Sequence, residues 1–304
     1  MKLGIIGCGV LGNALFNVFT EKGIKCLVSD KYQEEMLLSK YGHKIDIVFS
    51  KEKDRLLDCQ IIFLCLPTPY DDKIKGYITS AFEEWLLYFN HKDFKGIIVN
   101  KSTVMIGFHH QMAEKYPQLE LIHNPEFLSA RSAIEDFRNQ KQIILGVPKK
   151  NSILDIPPID RVFQTIKGTQ ASAKVYNFFH QYFPESEIKV CTTKESEAMK
   201  LFCNSFYAMK LQIFNEFYQL CQLNSNESTE EGMDYNVIKD LMLGNGWINP
   251  MHTNVPGPDG KLSYGGGCFP KDTQALLGYM ERMECHRNML QSCIVERNKM
   301  RNEN

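Results

Sequence analysis

The sequence predicts an α/β protein: a Rossmann-type, doubly wound parallel sheet followed by an all-helical central domain. Three observations predict it. Short apolar runs alternate with amphipathic segments through the first half of the chain. A glycine-rich turn, IIGCGVLG, joins the first apolar run to the first helical pattern. From Lys194 to about Leu223 there is neither Gly nor Pro, which marks one long helix.

Strands are expected at 2–6 (KLGII), 26–29 (CLVS), 46–49 (DIVF), 60–66 (QIIFLCL), 96–99 (GIIV), 120–122 (ELI) and 142–146 (QIILG). Helical patterns fall between most of them, at 11–22, 33–40, 79–89 and 107–115. The proline-rich, polar stretch 148–161 reads as a loop leaving the sheet. The long helix would run roughly 45 Å at about 1.5 Å per residue. Its apolar residues sit on nearly every face, which places it in an interior or a subunit interface, so a homodimer through 194–223 is expected. Further helical patterns cover 234–243 and 271–302. The glycine- and proline-rich segment 244–268 is a long loop, a kind that is functional or disordered. Domains are therefore expected at 1–192 and 193–304.

Composition bounds the function. A chain of 304 residues accommodates two domains, and 43% hydrophobic with 23% charged residues is ordinary for a globular protein. A formal net charge of −1 gives no electrostatic footprint for nucleic acid or an anionic membrane. No apolar run approaches membrane length, and MKLGIIGCGVLG lacks a signal-peptide cleavage pattern. The ten cysteines form no CxxC pair and no metal-like spacing with His, so reduced thiols in the cytoplasm and no metal are expected.

Gly7-x-Gly9-x-x-Gly12 follows a strand and precedes a helix. Gly7 suits a tight turn, Gly9 the approach of a pyrophosphate, and Gly12 the packing of helix on strand. Asp30 ends the next strand, 18 residues past Gly12, where a carboxylate binds the adenosine ribose and repels a 2′-phosphate. NAD is thus the expected cofactor. Pro67-Thr68-Pro69 and Lys101-Ser102-Thr103 end two further strands, where ligands bind in open α/β sheets, although such residues also form plain turns. Glu126, in HNPEFLSAR, would stand at the same rim, solvated or capping a turn. Lys200 and Asn204 share a helix face, with Glu197 on the adjoining one. Either an intrahelical ion pair or an oxyanion-holding pair accounts for them.

The segment YGGGCFPKD sets Cys268 among glycines. Pro270 places the cysteine at a helix start, where the dipole and Lys271 would favour thiolate. Asp272 lies four residues on. A structural cysteine and a nucleophile both remain open on this segment alone.

In order, GCGVLG, LPTP, KSTVMIG, NPEFL, EAMKLFCNSFYAMKLQIFNE and GGGCFPKD resemble the UDP-glucose/GDP-mannose dehydrogenase family from Met1 to about Arg297. The resemblance implies an NAD-binding domain, a central helical domain with a long dimerisation helix, and a C-terminal nucleotide-binding domain. It implies oxidation of the C6 alcohol of a nucleotide sugar to a carboxylate with two NAD, UDP-glucose to UDP-glucuronate foremost, as in polysaccharide biosynthesis. It makes Cys268 the nucleophile that forms a thiohemiacetal and then a thioester. Asp272 and Thr103 would handle water and proton, Lys200 and Asn204 the oxyanions, and Glu126 the hydrolysis. Gly7, Gly9, Gly12, Asp30, Thr68 and Thr103 would hold NAD; Phe127, Leu128, Tyr264, Gly265 and Gly266 would hold the substrate. β-Hydroxyacid dehydrogenases share the Lys–Asn pair but need no cysteine.

The chain departs from the family pattern at four places. It ends within the helix that would lead into the third domain, so that domain is expected to be absent. Ala130 stands where the family has a carboxylate, Asn245–Asn249 lacks the family's arginine, and the stretch after Asp30 is short and without its proline. These departures motivate an alternative: an NAD-binding regulatory dimer without turnover.

Overall fold

The computed structural model describes residues 1–42, 46–148, 170–225 and 232–303. The expected loop 148–161 lies, beyond Pro148, outside the described residues. In chain order the first elements are β1 (Leu3–Ile6), α1 (Val10–Glu21), β2 (Cys26–Ser29), α2 (Glu34–Tyr41), β3 (Asp46–Ile47), a 3-10 segment (Ser50–Asp58) and β4 (Ile61–Leu64). There follow β5 (Tyr70–Asp71), β6 (Gly76–Tyr77), α3 (Ser80–His91), β7 (Ile97–Asn100), α4 (Phe108–Lys115), β8 (Glu120–His123), α5 (Ala133–Arg138) and β9 (Gln142–Val147). The last are α6 (Gln170–Tyr182), β10 (Glu187–Thr192), α7 (Thr193–Ser225), α8 (Tyr235–Gly244), α9 (Phe269–Arg282) and α10 (Asn288–Arg301).

The chain divides into two compact units: Met1–Thr68 with Ile78–Lys200, and Pro69–Tyr77 with Leu201–Asn304. The boundary falls inside α7, between Lys200 and Leu201. The short segment Pro69–Tyr77, which carries the β5–β6 hairpin, belongs to the second unit although the first unit encloses it in sequence.

The first unit is an eight-stranded sheet in the order β10-β9-β8-β7-β4-β1-β2-β3. Pairing is parallel except where β9 meets β8 antiparallel, His123 opposite Gly146. Alternation along the strands separates two cores. Leu3, Ile5, Phe63 and Val99 face one side with Phe19, Phe137, Phe178 and Phe179. Ile6, Ile62, Leu64 and Ile98 face the other with Phe82, Phe89 and Phe108. A sheet covered on both faces is the expected doubly wound Rossmann-type architecture. Gly146 matters for the start of α7: a Cβ there would lie 2.0 Å from Ser196 Oγ.

In the second unit α7 continues from Leu201 with α8, α9, α10 and the hairpin. The helical pattern at 271–302 is two helices, broken at 283–287, where Glu284 takes a positive φ of 55°. Gly278 lets the hairpin backbone reach α9: a Cβ there would meet the Lys75 carbonyl at 2.8 Å. No described helix is long and apolar enough to cross a membrane.

Candidate functional site

The glycine loop builds one end of the first unit. Gly7 has φ +88°, and a Cβ there would lie 2.3 Å from the Cys65 carbonyl oxygen. A Cβ on Gly12 would meet the Gly7 carbonyl at 1.9 Å. Both glycines are therefore required by close backbone packing. Gly9 differs: a Cβ there would meet open space, and Gly9 caps α1 with no side chain on the first amides. That leaves an open helix N-terminus, a favourable position for phosphate. Asp30 is buried and accepts from Cys8 N at 2.7 Å and Tyr32 N at 2.9 Å, one on each oxygen. Each oxygen keeps a lone pair for a ribose hydroxyl. The loop thus fits a dinucleotide of the NAD type.

Further along the rim, Thr68 Oγ1 donates to the Thr103 carbonyl at 2.8 Å, which joins the ends of two strands. Lys101, next to Thr103, is only 1% exposed. Its Nζ donates to Asn124 Oδ1 at 2.8 Å and lies 5.4 Å from the centre of the Phe137 ring. Burial pulls its pKa down to about 8, against the pull of Cys65 and Glu126 in the other direction. Asn124 in turn donates to the Ile144 carbonyl at 2.8 Å. This chain of contacts fixes the loop that leaves β8 and carries Glu126.

Lys200 donates to the backbone carbonyl of Glu126 and lies 3.4 Å from its carboxylate Oε1. The other oxygen, Oε2, accepts from Leu128 N. Phe127 is half exposed, with the Lys200 ammonium 4.9 Å from its ring centre, while Leu128 packs on the core. The intrahelical Lys200–Glu197 pair is not what forms. Glu197 Oε2 accepts from Gly107 N at 2.6 Å, and Oε1 takes His109 N at 2.9 Å and His109 Nδ1 at 2.6 Å. Glu197 thus caps α4, a helix start with free amides. The His109 and His123 rings lie 4.8 Å apart, tilted by 37°, and burial holds His123 well below the usual histidine range.

In the second unit Cys268 is an exposed thiol at the N-cap of α9, with Pro270 in the first turn. Asp272 is 0% exposed. Asn204 Nδ2 donates to its Oδ2 at 2.6 Å; Lys271 Nζ and the Tyr77 hydroxyl both donate to Oδ1. Lys271 therefore directs its ammonium at the Asp272 carboxylate, where the sequence expectation set it beside Cys268. Burial first, then the Asp272 charge, pushes the Tyr77 phenol far above its ordinary value, and Cys268 adds to that push.

The glycines before Cys268 hang on a braced loop. Tyr264 is buried against Ala208 and Cys293, so its ring belongs to the core, and its carbonyl accepts from Arg297 Nε at 3.1 Å. Gly265 lies under Arg301: a Cβ would meet the guanidinium at 2.5 Å. Ser263 N donates to Asn215 Oδ1 at 2.7 Å, and Arg301 Nη1 donates to the Leu262 carbonyl at 2.8 Å. Gly266, with φ +78°, is open to solvent. Phe269 forms an aromatic group with Tyr207 and His252. Among the described residues no three His, Cys, Asp or Glu side chains gather as a metal site.

Sequence reasoning missed Tyr77, Lys101 and the Glu197–His109 pair as site components. Lys101 had one usable signal, a lysine closing the apolar run GIIVN. Tyr77 had none.

Two family models match this chain. The NAD binding domain of the UDP-glucose/GDP-mannose dehydrogenase family matches residues 33–167, and the central domain of the same family matches 194–299. The chain belongs to the UDP-glucose/GDP-mannose dehydrogenase family. An NAD-type cofactor follows from this membership together with the open glycine loop. Members of the UDP-glucose/GDP-mannose dehydrogenase family similar to this chain include UDP-glucose 6-dehydrogenase of Campylobacter jejuni. It is 25% identical over 99% of this chain and 72% of the relative. That of Pseudomonas aeruginosa is 24% identical over 93% of this chain and 62% of the relative. An uncharacterized protein of Methanocaldococcus jannaschii is 27% identical over 84% of this chain, which spans 26% of that relative. Among solved structures, a UDP-glucose dehydrogenase of Pyrobaculum islandicum superposes with a TM-score of 0.75 at 18% identity. The match covers 98% of this chain and 68% of that one. A 3-hydroxyisobutyrate dehydrogenase of Mycobacterium tuberculosis shares the fold at TM-score 0.63 and 12% identity, over 96% and 91% of the two chains.

Proposed function

We propose that this protein carries out the four-electron oxidation of the C6 alcohol of a nucleotide sugar, most simply UDP-glucose to UDP-glucuronate. The observation that carries the reading is the exposed Cys268 thiol at the start of α9, four residues from a buried carboxylate held by three donors. A plain alcohol dehydrogenase needs no such thiol; an enzyme that takes an alcohol through an aldehyde to an acid does.

The bound cofactor supplies hydride acceptance, twice per sugar. Cys268 adds to the aldehyde carbon as thiolate, and the new C–S bond retains the intermediate as a thiohemiacetal. Loss of the second hydride gives a thioester. Water adds to the thioester carbon, the C–S bond breaks, and the thiolate returns. In sum, one alcohol, one water and two NAD+ give one carboxylate, two NADH and three protons. The family resemblance is what assigns Lys200 to the oxyanion that forms at each addition and Glu126 to the approach of water. Asn204 keeps one amide hydrogen beyond the one given to Asp272, enough for a further oxyanion contact.

The test is a panel of UDP- and GDP-sugars and of 3-hydroxy acids, read by NADH absorbance against Cys268→Ser. Two NADH per nucleotide sugar, lost in Cys268→Ser, is the expected result. NADH from a hydroxy acid, retained in Cys268→Ser, would move the protein to the β-hydroxyacid class. Cofactor binding with no turnover on any substrate would leave the regulatory-dimer alternative.

A further inference from the structure

We infer that Tyr77, on the β5–β6 hairpin, is a positioning residue that sets the charge around the Cys268 thiol through Asp272. The inference rests on the reading of Cys268 as the nucleophile and adds a component to it. Three observations lead here. The Tyr77 hydroxyl donates to Asp272 Oδ1, while Asn204 holds Oδ2 and Lys271 shares Oδ1. The hairpin that delivers Tyr77 is docked on α9 with care: Gly278 admits its backbone, Arg282 Nη1 donates to the Lys75 carbonyl at 3.0 Å, and Lys75 pairs with Glu281. The Lys271 ammonium lies 4.4 Å from the centre of the Tyr77 ring, so the ring also holds the lysine that faces Asp272.

The consequence is electrostatic. Asp272 is fully buried, and its amide already donates to the Cys268 carbonyl at 3.0 Å, which puts the carboxylate within the same helical turn as the thiol. An uncompensated anion there opposes formation of a thiolate. The facing groups are Tyr77 from β6, Asn204 from α7, and Lys271 and Cys268 from α9. A phenol pushed far above its ordinary value by burial and by Asp272 keeps its proton across the working range, so Tyr77 is a permanent donor. Removing its hydroxyl leaves Oδ1 to Lys271 alone and exposes Cys268 to more of the carboxylate's charge.

The experiment measures the pH profile of Cys268 alkylation by iodoacetamide, followed on the Cys268 peptide by mass spectrometry, in the full chain. Tyr77→Phe keeps the ring under Lys271 and removes only the hydroxyl. The expected result is a midpoint raised by about half a pH unit or more, with kcat on the preferred sugar lowered about tenfold and KM held within about twofold. Lys73→Ala, at an exposed position of the same hairpin that the docking on α9 does not use, should keep the wild-type midpoint. A Tyr77→Phe profile that overlays the wild type would overturn the inference, as would an equal shift in Lys73→Ala. Alkylation needs neither cofactor nor sugar. A shifted midpoint in a protein without NADH turnover would therefore sustain the role of Tyr77 while the proposed reaction failed.

Discussion

Asn204 places its amide nitrogen 2.6 Å from Asp272 Oδ2, and the two side chains lie 68 residues apart in sequence and are both buried. The contact gives the asparagine a structural task beside any catalytic one. Asn204→Ala would leave a buried carboxylate oxygen without its donor, a loss of about 2 kcal/mol. Asn204→Asp would set two carboxylates against each other and cost more. Its deficit should shrink as the pH falls toward 5, because the pair can then share a proton. Urea unfolding of both variants at pH 7.5 and pH 5 measures this, and an Asn204→Asp deficit independent of pH would contradict it.

Cys268 gives the opposite pattern. It is exposed, and its side chain caps no amide of α9. Cys268→Ser should change stability by less than about 0.5 kcal/mol while abolishing NADH formation from the sugar. Loss of activity together with a large fall in the unfolding midpoint would point to a structural cysteine instead.

Lys101 predicts a pH dependence with a definite sign. Its folded pKa, about 8, lies below the value of about 10.4 for an unfolded lysine. Between these two values the unfolded chain binds more protons than the folded one, so stability rises with pH across that window. The cost of the buried ammonium is fully present below about pH 8 and is relieved by about 3 kcal/mol on passing above 10.4. Lys101→Met has no such group. The stability of the wild type minus that of the variant should be flat from pH 6 to 7.5 and climb from 8 upward. A flat difference throughout would show that Lys101 is not the buried cation described here.

The parts of the molecule legible in the sequence are those whose signal is local. IIFL and IIVN read as strands because apolar residues fill both faces, and Gly12 reports a constraint only five residues away, at the Gly7 carbonyl, whereas Gly7 itself is required by the Cys65 carbonyl at the end of the neighbouring strand β4. Helix α6 and strand β10 have local signals too, Ala171, Val175, Phe178 and Phe179 on one helix face, and Ile188 and Val190 in alternation, yet they lie outside the elements expected from the sequence. The β5–β6 hairpin, YDDKIKGY, is mostly polar and reads as a loop. Its reason to be ordered lies 195 residues on, where Tyr77 meets Asp272. Lys101 and Glu197 have a related cause. The nearest partner visible in the sequence for Glu197 is Lys200 on its own helix, and Lys101 reads only as part of a turn, whereas the partners in the fold, Asn124 and the start of α4, lie 23 and about 90 residues away.

The exposed face of α7 carries the last prediction. Phe202, Phe206, Ile213, Phe217, Leu220 and Leu223 are at least a third exposed, five of them by nearly half or more. The steps between successive members, 4, 7, 4, 3 and 3, keep them near one side of the helix. Six exposed apolar side chains along one helix face mark an interaction surface rather than scattered surface residues. The buried side of the same helix holds Asn204, Gln212 and Asn215, which bind Asp272 and Ser263, so the helix cannot turn its aromatic residues inward without losing those contacts. A second copy of the chain would cover the stripe, because a helix presenting the same face in both copies gives a self-complementary interface. Sedimentation at micromolar concentration should show a dimer. Phe206→Glu, at a well-exposed position of the stripe, should yield a folded monomer with an unchanged unfolding midpoint at high dilution. A wild-type monomer, or a Phe206→Glu dimer of undiminished affinity, would rule out this face as the contact.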